Sequence, residues 1–444
     1  MEPFLSLDMR GLLAALQSED QVLRVSREVD PLFELAAVTR HVQEGANLPV
    51  IFERVTGTRY PVVSNLYGNY GLVAKIFGTK ASGLAAAWAD ATAAQDRPPL
   101  DDASDDLPAV EEIAFADLPH VTFCEKDAGP YLTAAIVLAR DPETGVTNLS
   151  YHRMQMLGDG ELRARLGRSG DLYRIQQKAE RLDRPLEVAV IIGTPPAITL
   201  AGAAVIPAGE SEFGLAEHFA ERRFPMRRCE TVNLEVPAEC EFVLEGEILP
   251  HERRPEGPFG EWMDYYVPVT DNHVIMTRRV VARRDAVFHA ILSGTSEEIA
   301  LSSIPNAAMI YRAVRAFDPY VRDVVCFPHM QFVVVQIEKH YEGQAQKAML
   351  GAFGAETNRQ LYCVVVDEDV NIHDPKDVIW AMSTRCRPDK EIMQIANVPS
   401  YARDPHQAHW GRLGIDATAP LEHRDEFERK RYPGYESIRI KDYL

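Results

Sequence analysis

The chain has 444 residues, too many for one ordinary hydrophobic core, so two or three packed units are expected. Its 46% hydrophobic and 25% charged residues are typical of a soluble globular protein. The formal net charge of -19 argues against general nucleic-acid binding and against adsorption to an anionic membrane, because both need a basic surface. An anionic ligand is not excluded, because a local cluster of arginines can oppose the global charge.

The first residues, MEPFLSLDMRG, lack the basic region and the apolar run of a signal peptide. The longest apolar stretches, such as residues 188–192 and 333–337, are far too short to span a bilayer. The six cysteines are scattered without a CxxC pair, which argues against a disulfide framework or a zinc ribbon. The sequence therefore predicts a cytoplasmic protein with no membrane span.

The N-terminal part, residues 1–118, is predicted to be a mixed α/β region. Apolar residues at helical spacing predict helices at residues 9–17 and 32–43, and short strands are predicted at residues 50–53 and 60–63. Residues 85–106 are rich in Ala and Asp and contain two adjacent prolines. They are interpreted as a helix end followed by a solvated linker, or equally as a long surface loop inside one domain.

The pattern changes over residues 119–300. Short β-rich runs recur between turn signals, at residues 133–138, 187–192, 197–201, 240–249 and 273–281. Helices are predicted at residues 172–181 and 212–221. Many short strands with few long helices predict a barrel or a sandwich.

Strands and helices alternate again over residues 301–444. Helices are predicted at residues 305–316 and 344–353, and strands at residues 331–337 and 360–366. This alternation predicts a parallel or mixed sheet covered by helices. The tail after Pro420 is highly charged and carries aromatic residues, which indicates either a packing arm or a frayed end.

Common cofactor and catalytic signatures are missing, namely GxGxxG, GxxxxGK[ST], HExxH and GxSxG. A phosphate-bearing cofactor would therefore be held by side chains, a metal or irregular backbone. Four segments stand out instead: TNLSYHRMQ, GRSGDLYR, IPAGESEFGLAE and PEGPFGE. In the third, Pro and Gly are expected to end a strand, and Ser211 and Glu212 lie where a helix should begin. Such a helix start favours an anion, either its own carboxylate or a ligand phosphate.

Each of these residues alone has a structural explanation. Asn148 would cap a turn, Arg153 would form an ion pair, and the glutamates would be solvated. Together, one arginine and two glutamates can hold a carboxylate and move a proton. A glutamate that acts as general acid needs partial desolvation, which Phe259 or Trp262 could supply beside the PEGPFGE glutamates.

Six segments together resemble the UbiD-type decarboxylases, which use prenylated FMN. They are TNLSYHRMQMLG, IPAGESEFGLAE, LEVPAECEFVLEGEILP, PEGPFGEWMDYY, VVDEDVNIHDPKDVIWAMSTRCRPDK and GRLGIDAT. They occur in the family's order and cover nearly the whole chain. The resemblance implies a fold of the α+β and α/β classes. Its parts would be an N-terminal α/β region, a central split β-barrel that holds the flavin, and a C-terminal α/β domain that makes a homodimer or a larger homo-oligomer.

The resemblance implies a catalytic trio of Arg153, Glu256 and Glu261. The implied reaction is the reversible decarboxylation of an aromatic, heteroaromatic or α,β-unsaturated acid through a covalent adduct with the flavin. Arg153 would orient the carboxylate and pair with Glu256, and Glu261 would deliver the proton that replaces CO2. The alternatives are a carboxylase, a non-catalytic flavin-binding subunit of a complex, and a structural α/β protein without cofactor. A flavin prenyltransferase would supply the cofactor.

The resemblance also implies that Asn148, Arg168, Ser211 and Glu212 bind the cofactor. In the family, a divalent metal, usually manganese, bridges the flavin phosphate to an asparagine, a histidine and a glutamate, and potassium accompanies it. Asn148 and Glu212 match two of these ligands, but Arg168 stands at the histidine position. Arginine cannot ligate a metal, yet it binds phosphate well. Either the metal is retained with fewer protein ligands, Arg168 partly replaces it, or the cofactor binds poorly.

His152 is discounted as a substitute ligand, because on a strand its side chain would point to the face opposite that of Arg153. The layout of the family places residues 289–314 and 327–329 near the substrate pocket. His289, Tyr311 and His329 could there recognise a ring hydroxyl or heteroatom. A core histidine satisfied by backbone is the favoured interpretation of either histidine.

Overall fold

The computed structural model describes residues 4–93, 100, 103–104, 106–207, 209–326, 331–355, 359–398 and 410–443. The chain divides into two units, residues 1–308 with 328–330 and residues 309–327 with 331–444. The boundaries expected at residues 118 and 300 stay predictions, because only two units separate. Within the described ranges, no helix has both the length and the hydropathy needed to cross a membrane. All six cysteines are free thiols.

The helices begin where the sequence offers capping groups. The side chains of Asp8, Asn69 and Asp374 each accept a hydrogen bond from a backbone N–H of the helix that follows, which satisfies one of the donors at its start. The helices are α1 (Met9–Ser18), α2 (Glu34–Glu44), α3 (Tyr70–Ile76), α4 (Leu84–Ala93), α5 (Asp171–Arg181), α6 (Pro196–Ala201), α7 (Glu212–Ala220), α8 (Ser296–Phe317), α9 (Gln344–Phe353) and α10 (Pro375–Arg385).

The strands are short in the N-terminal part and longest in the middle of the chain. They are β1 (Leu23–Val25), β2 (Val50–Phe52), β3 (Val62–Ser64), β4 (Val110–Ile113), β5 (Tyr131–Leu132), β6 (Ile136–Arg140), β7 (Thr147–Tyr151), β8 (Met154–Met156), β9 (Glu161–Ala164), β10 (Leu186–Ile192), β11 (Met226–Arg228), β12 (Glu235–Pro237), β13 (Phe242–Glu256), β14 (Phe259–Gly260), β15 (Tyr266–Val267), β16 (Thr270–Arg283), β17 (Phe288–His289), β18 (Val321–Cys326), β19 (Phe332–Ile337), β20 (Tyr362–Asp367), β21 (Ile392–Val398) and β22 (Trp410–Ala417).

The first unit contains a small sheet and a large one. The small sheet has the order β1-β2-β3-β17, with β1–β2 and β3–β17 parallel. The large sheet is antiparallel and curls into a half-barrel of order β5-β8-β9-β16-β13-β10-β6-β7, with β4 beside β16. The long pair β13–β16 changes register after Glu245, where Gly246 lets the backbones approach: a Cβ there would lie 2.4 Å from the Met276 carbonyl oxygen. The predicted barrel is thus confirmed as a half-barrel.

The second unit contains a mixed sheet of order β18-β19-β20-β22-β21. Strands β19, β20 and β22 are parallel, and the two edge strands are antiparallel to their neighbours. Strands β19 and β20 are valine-rich and mostly buried on both faces, as expected for a sheet covered by helices. The predicted alternation of strands and helices is confirmed.

Residues 197–201, predicted as a strand, form helix α6, so this prediction was wrong. Pro195 and Pro196 precede the apolar run, and proline at the first helical positions presets the backbone for a helix. A short apolar run does not distinguish a buried helix from a strand. Accordingly, the segment before Pro207 is not a strand either. Helix α8 begins earlier than predicted, at Ser296, and contains Pro305. Much of the predicted linker after Ala93 lies outside the described residues.

Candidate active site

A break between β7 and β8 directs Arg153 toward the end of β13. Strand β7 ends at Tyr151 and β8 begins at Met154, so Arg153 lies between the two ladders. Its side chain is only 11% exposed. Nε and Nη2 donate to the two oxygens of Glu256 at 3.1 and 3.0 Å, and Nη1 donates to Glu261 Oε1 at 2.7 Å. The structure therefore brings the three predicted catalytic residues together around one guanidinium.

Glu256 is fully buried and accepts four hydrogen bonds. Besides the two from Arg153, Tyr131 donates its hydroxyl to Oε1 at 3.0 Å, and Asn272 donates its amide to Oε2 at 2.8 Å. An ionised carboxylate has about four acceptor positions, so these donors saturate it. Sequence reasoning missed Tyr131 and Asn272. Both reach Glu256 only through strand pairing in the half-barrel, and no local motif marks them.

The turn between the two glutamates is held from outside. Gly257–Pro258 is a cis peptide bond, and Gly257 has φ +95°, a region open to glycine. The Asp127 carboxylate accepts hydrogen bonds from the backbone N–H of Gly260 at 2.8 Å and of Cys124 at 2.9 Å. Because the turn is fixed at Gly260, Glu261 is held facing Arg153.

Phe259 supplies the apolar floor of the site. Its ring centroid lies 4.4 Å from that of Tyr131, and the Arg153 Cζ lies 4.9 Å from the same ring. A guanidinium over an aromatic face gains a cation–π attraction. The apolar neighbour expected from the sequence is therefore present, and it contacts the arginine.

Burial and the two carboxylates act in opposite directions on Arg153. Burial alone lowers the pKa of Arg153, but Glu256 and Glu261 more than offset it, so its pKa is raised. Burial and the Glu256 carboxylate both raise the pKa of Tyr131. Burial also raises the pKa of Asp127, against its hydrogen bonds to the backbone. The arginine thus stays charged and the Tyr131 phenol stays a neutral donor at physiological pH.

Asn148 and Glu212 form a second buried pair. The Asn148 amide donates to Glu212 Oε1 at 3.2 Å, and the Leu149 N–H donates to Oε2 at 3.0 Å. Burial raises the pKa of Glu212, and these hydrogen bonds partly oppose the rise. Ser211 precedes α7 without a side-chain capping bond to it. Arg168 lies on an exposed turn between β9 and α5, so the structure does not bury it with this pair.

His152 lies on the face of Asn148. Ser150 Oγ is 3.0 Å from His152 Nε2 and donates to Asn148 Oδ1 at 3.4 Å, while His152 Nδ1 is 3.1 Å from the Arg165 carbonyl oxygen. His152 and Arg153 both lie in the break between β7 and β8, so strand alternation does not set the direction of either side chain, and the discounting of His152 stays a prediction. The contacts place residues 148, 150 and 152 together.

The donor set near α7 fits part of a metal site. Asn148 and Glu212 offer the oxygen ligands that Mn2+ prefers. Among the residues that the structure describes, no group of three or more His, Cys, Asp or Glu side chains is arranged to hold a metal ion. Further ligands would have to come from a bound phosphate and water.

The residues expected near the substrate pocket differ in outcome. His289 Nε2 lies 2.9 Å from Glu297 Oε1, and both side chains are buried. Its partner is a carboxylate, so the favoured interpretation of a backbone partner was wrong. Tyr311 belongs to the second unit, where Arg315 donates to its hydroxyl at 3.3 Å. His329 lies outside the described residues.

Three family models match successive parts of the chain. They describe the N-terminal, Rift-related and C-terminal domains of 3-octaprenyl-4-hydroxybenzoate carboxy-lyase (UbiD), and they match residues 13–92, 101–296 and 300–417. The chain is also 38% identical to anhydromevalonate phosphate decarboxylase of Methanothermobacter thermautotrophicus over 324 residues. That alignment covers 71% of this chain and 75% of the relative.

The fold is similar to solved structures of the UbiD-class enzyme HmfF from Pelotomaculum thermopropionicum. The complex with FMN matches with a TM-score of 0.92 and 36% identity, over 98% of this chain and 100% of that one. An evolved dimeric form in complex with prFMN matches with a TM-score of 0.89 and 36% identity, over the same shares. The predicted three-part fold with a central split barrel is therefore confirmed.

Gly294 tests how closely the Glu261 backbone is confined. Gly294 has φ +72°, and a Cβ there would lie 2.9 Å from the Glu261 carbonyl oxygen. Gly57 has φ +83° with nothing within 4 Å of its Cβ position. Both changes to alanine introduce strain of about 1 kcal/mol, and Gly294→Ala adds overpacking of about 1–3 kcal/mol. We expect a lower thermal unfolding midpoint for Gly294→Ala than for Gly57→Ala; equal midpoints would contradict the confinement.

Proposed function

The chain belongs to the UbiD family of carboxy-lyases, and on this basis we propose that it decarboxylates an aromatic, heteroaromatic or α,β-unsaturated acid with prenylated FMN as cofactor. The observation that carries the proposal is the buried Arg153 guanidinium bound by both Glu256 and Glu261. The HmfF complexes with FMN and prFMN support the choice of cofactor.

The residues of the trio take separate roles. Prenylated FMN, when bound, supplies an electron sink for the loss of CO2. Arg153 orients the substrate carboxylate, since a guanidinium binds carboxylates in fixed planar geometry. Glu256, held by four donors, anchors Arg153. Glu261 delivers a proton to the carbon that lost CO2.

The identity of the acid and the direction of the reaction are further parts of the proposal. The same residues serve carboxylation at high CO2, so a carboxylase is the alternative. One relative is named for a substrate that carries a phosphate, which widens the candidates beyond aromatic acids. A cytoplasmic location, a homo-oligomeric state and supply of the cofactor by a flavin prenyltransferase remain predictions.

At the phosphate end, we propose that a divalent metal is retained with Asn148 and Glu212 as its protein ligands. The burial of this pair and the exposed position of Arg168 support this over replacement of the metal by the arginine. Potassium is a prediction from the resemblance alone.

Glu261→Gln tests the proton donor. The amide keeps the shape but carries no transferable proton, so we expect turnover to fall at least about 100-fold while flavin stays bound. Decarboxylation rate and visible flavin absorbance are the measurements. Asp264→Asn is the matched control, since its exposed carboxylate lies three residues away in the same turn. Near-normal turnover by Glu261→Gln would show that another group donates the proton.

A screen of acids tests the substrate class. Holo-protein made with a flavin prenyltransferase is offered aromatic, heteroaromatic, cinnamic-type and phosphate-bearing unsaturated acids, each beside its saturated analogue, and CO2 release is followed. We expect turnover only of unsaturated acids, because the cofactor must accept electrons from a π-system. Turnover of saturated analogues would overturn the proposal, and a protein without flavin absorbance would favour a structural role.

Elemental analysis tests the metal. We expect about one divalent ion per flavin in holo-protein, lost in Glu212→Gln, because one of two protein oxygen ligands is weakened. Arg168→Ala should keep both metal and flavin. A different result would assign the counter-charge of the flavin phosphate to Arg168. In that case wild-type holo-protein would contain no metal, and the Arg168→Ala variant would lose its flavin.

A further inference from the structure

We propose that Tyr131 is a positioning residue, which holds Glu256 as the anchor of Arg153 and thereby controls proton delivery by Glu261. The inference rests on the proposed function and goes beyond the three residues assigned to it. Tyr131 does not touch the reacting atoms in this role. It acts through the carboxylate that orients the arginine.

The backbone of Tyr131 is fixed beside β8, the strand that directly follows Arg153. Tyr131 pairs with Gln155 in the β5–β8 ladder, two residues after Arg153. Its hydroxyl donates to Glu256 Oε1 at 3.0 Å, and the same oxygen accepts from Arg153 Nε at 3.1 Å. Loss of the hydroxyl would leave that oxygen with one donor, from the arginine, so only Asn272 would hold the carboxylate independently of Arg153.

The ring of Tyr131 has a separate task. It is almost fully buried and packs on Phe259, whose ring also contacts the Arg153 guanidinium. Tyr131→Phe keeps this ring contact and removes only the donor. The substitution therefore separates positioning of Glu256 from simple packing of the core.

The groups around the hydroxyl define the expected kinetic effect. Tyr131 faces the Glu256 carboxylate, the Arg153 guanidinium and the Asp127 carboxylate, and Arg153 in turn holds Glu261. A Glu256 carboxylate with one donor fewer is positioned less firmly, and so is the guanidinium that it anchors. Misplaced reacting groups lower the rate of the chemical step.

The test compares Tyr131→Phe with Tyr60→Phe in flavin-loaded protein. We expect Tyr131→Phe to lower kcat about tenfold with little change in KM, because misplacement of the arginine acts on the chemical step. Tyr60 is also a buried tyrosine that packs on a phenylalanine, Phe242, but its hydroxyl accepts from Arg59. Tyr60→Phe should leave both kcat and KM unchanged.

Asn272→Leu provides a second variant, because it removes the 2.8 Å donor on the other oxygen of Glu256. It should also lower kcat with little change in KM. A wild-type kcat in Tyr131→Phe, or a rise in KM without loss of kcat, would overturn the inference, as would loss of bound flavin in that variant. If wild-type protein decarboxylates no acid, the proposed function fails instead, so the two failures are distinguishable.

Discussion

A buried arginine is the constraint on which this structure depends. A guanidinium removed from water needs carboxylates and hydrogen bonds to compensate its charge, and Arg153 finds them in Glu256 and Glu261. These residues come from two distant parts of the sequence, which meet only because the antiparallel sheet curls. The half-barrel is thus the means of holding one positive charge between two negative ones.

The second layer of contacts explains why the trio is ordered. Asp127 fixes the turn at Gly260, and Tyr131 with Asn272 fixes Glu256. Each of these side chains binds a backbone N–H or a buried carboxylate oxygen, so the position of that partner fixes where the side chain must lie. Removing any one takes a hydrogen-bond partner from a group in or beside the buried site, which is costly in a low-dielectric interior. The geometry of the site is therefore distributed over the first unit.

Much of this was predictable from the sequence. Helices α1, α5, α7 and α9 follow from apolar periodicity, and the trio follows from motifs whose spacing matches a known family. Helix α6 was missed because a short apolar run carries no period, and its prolines outweighed the strand pattern. Tyr131 and Asn272 were missed because cross-strand register places them, and His289 because its carboxylate partner comes from α8. His152 shows another limit: it follows the end of β7, where strand alternation no longer sets the direction of a side chain.

The saturation of Glu256 has a consequence for the stoichiometry of protons. Four donors bind its two oxygens, and in the proposed roles it anchors Arg153 while Glu261 delivers the proton. Under these roles one proton would pass through Glu261 in each turnover and would be replaced from solvent. The hydrogen left on the product would then carry the isotopic label of the water.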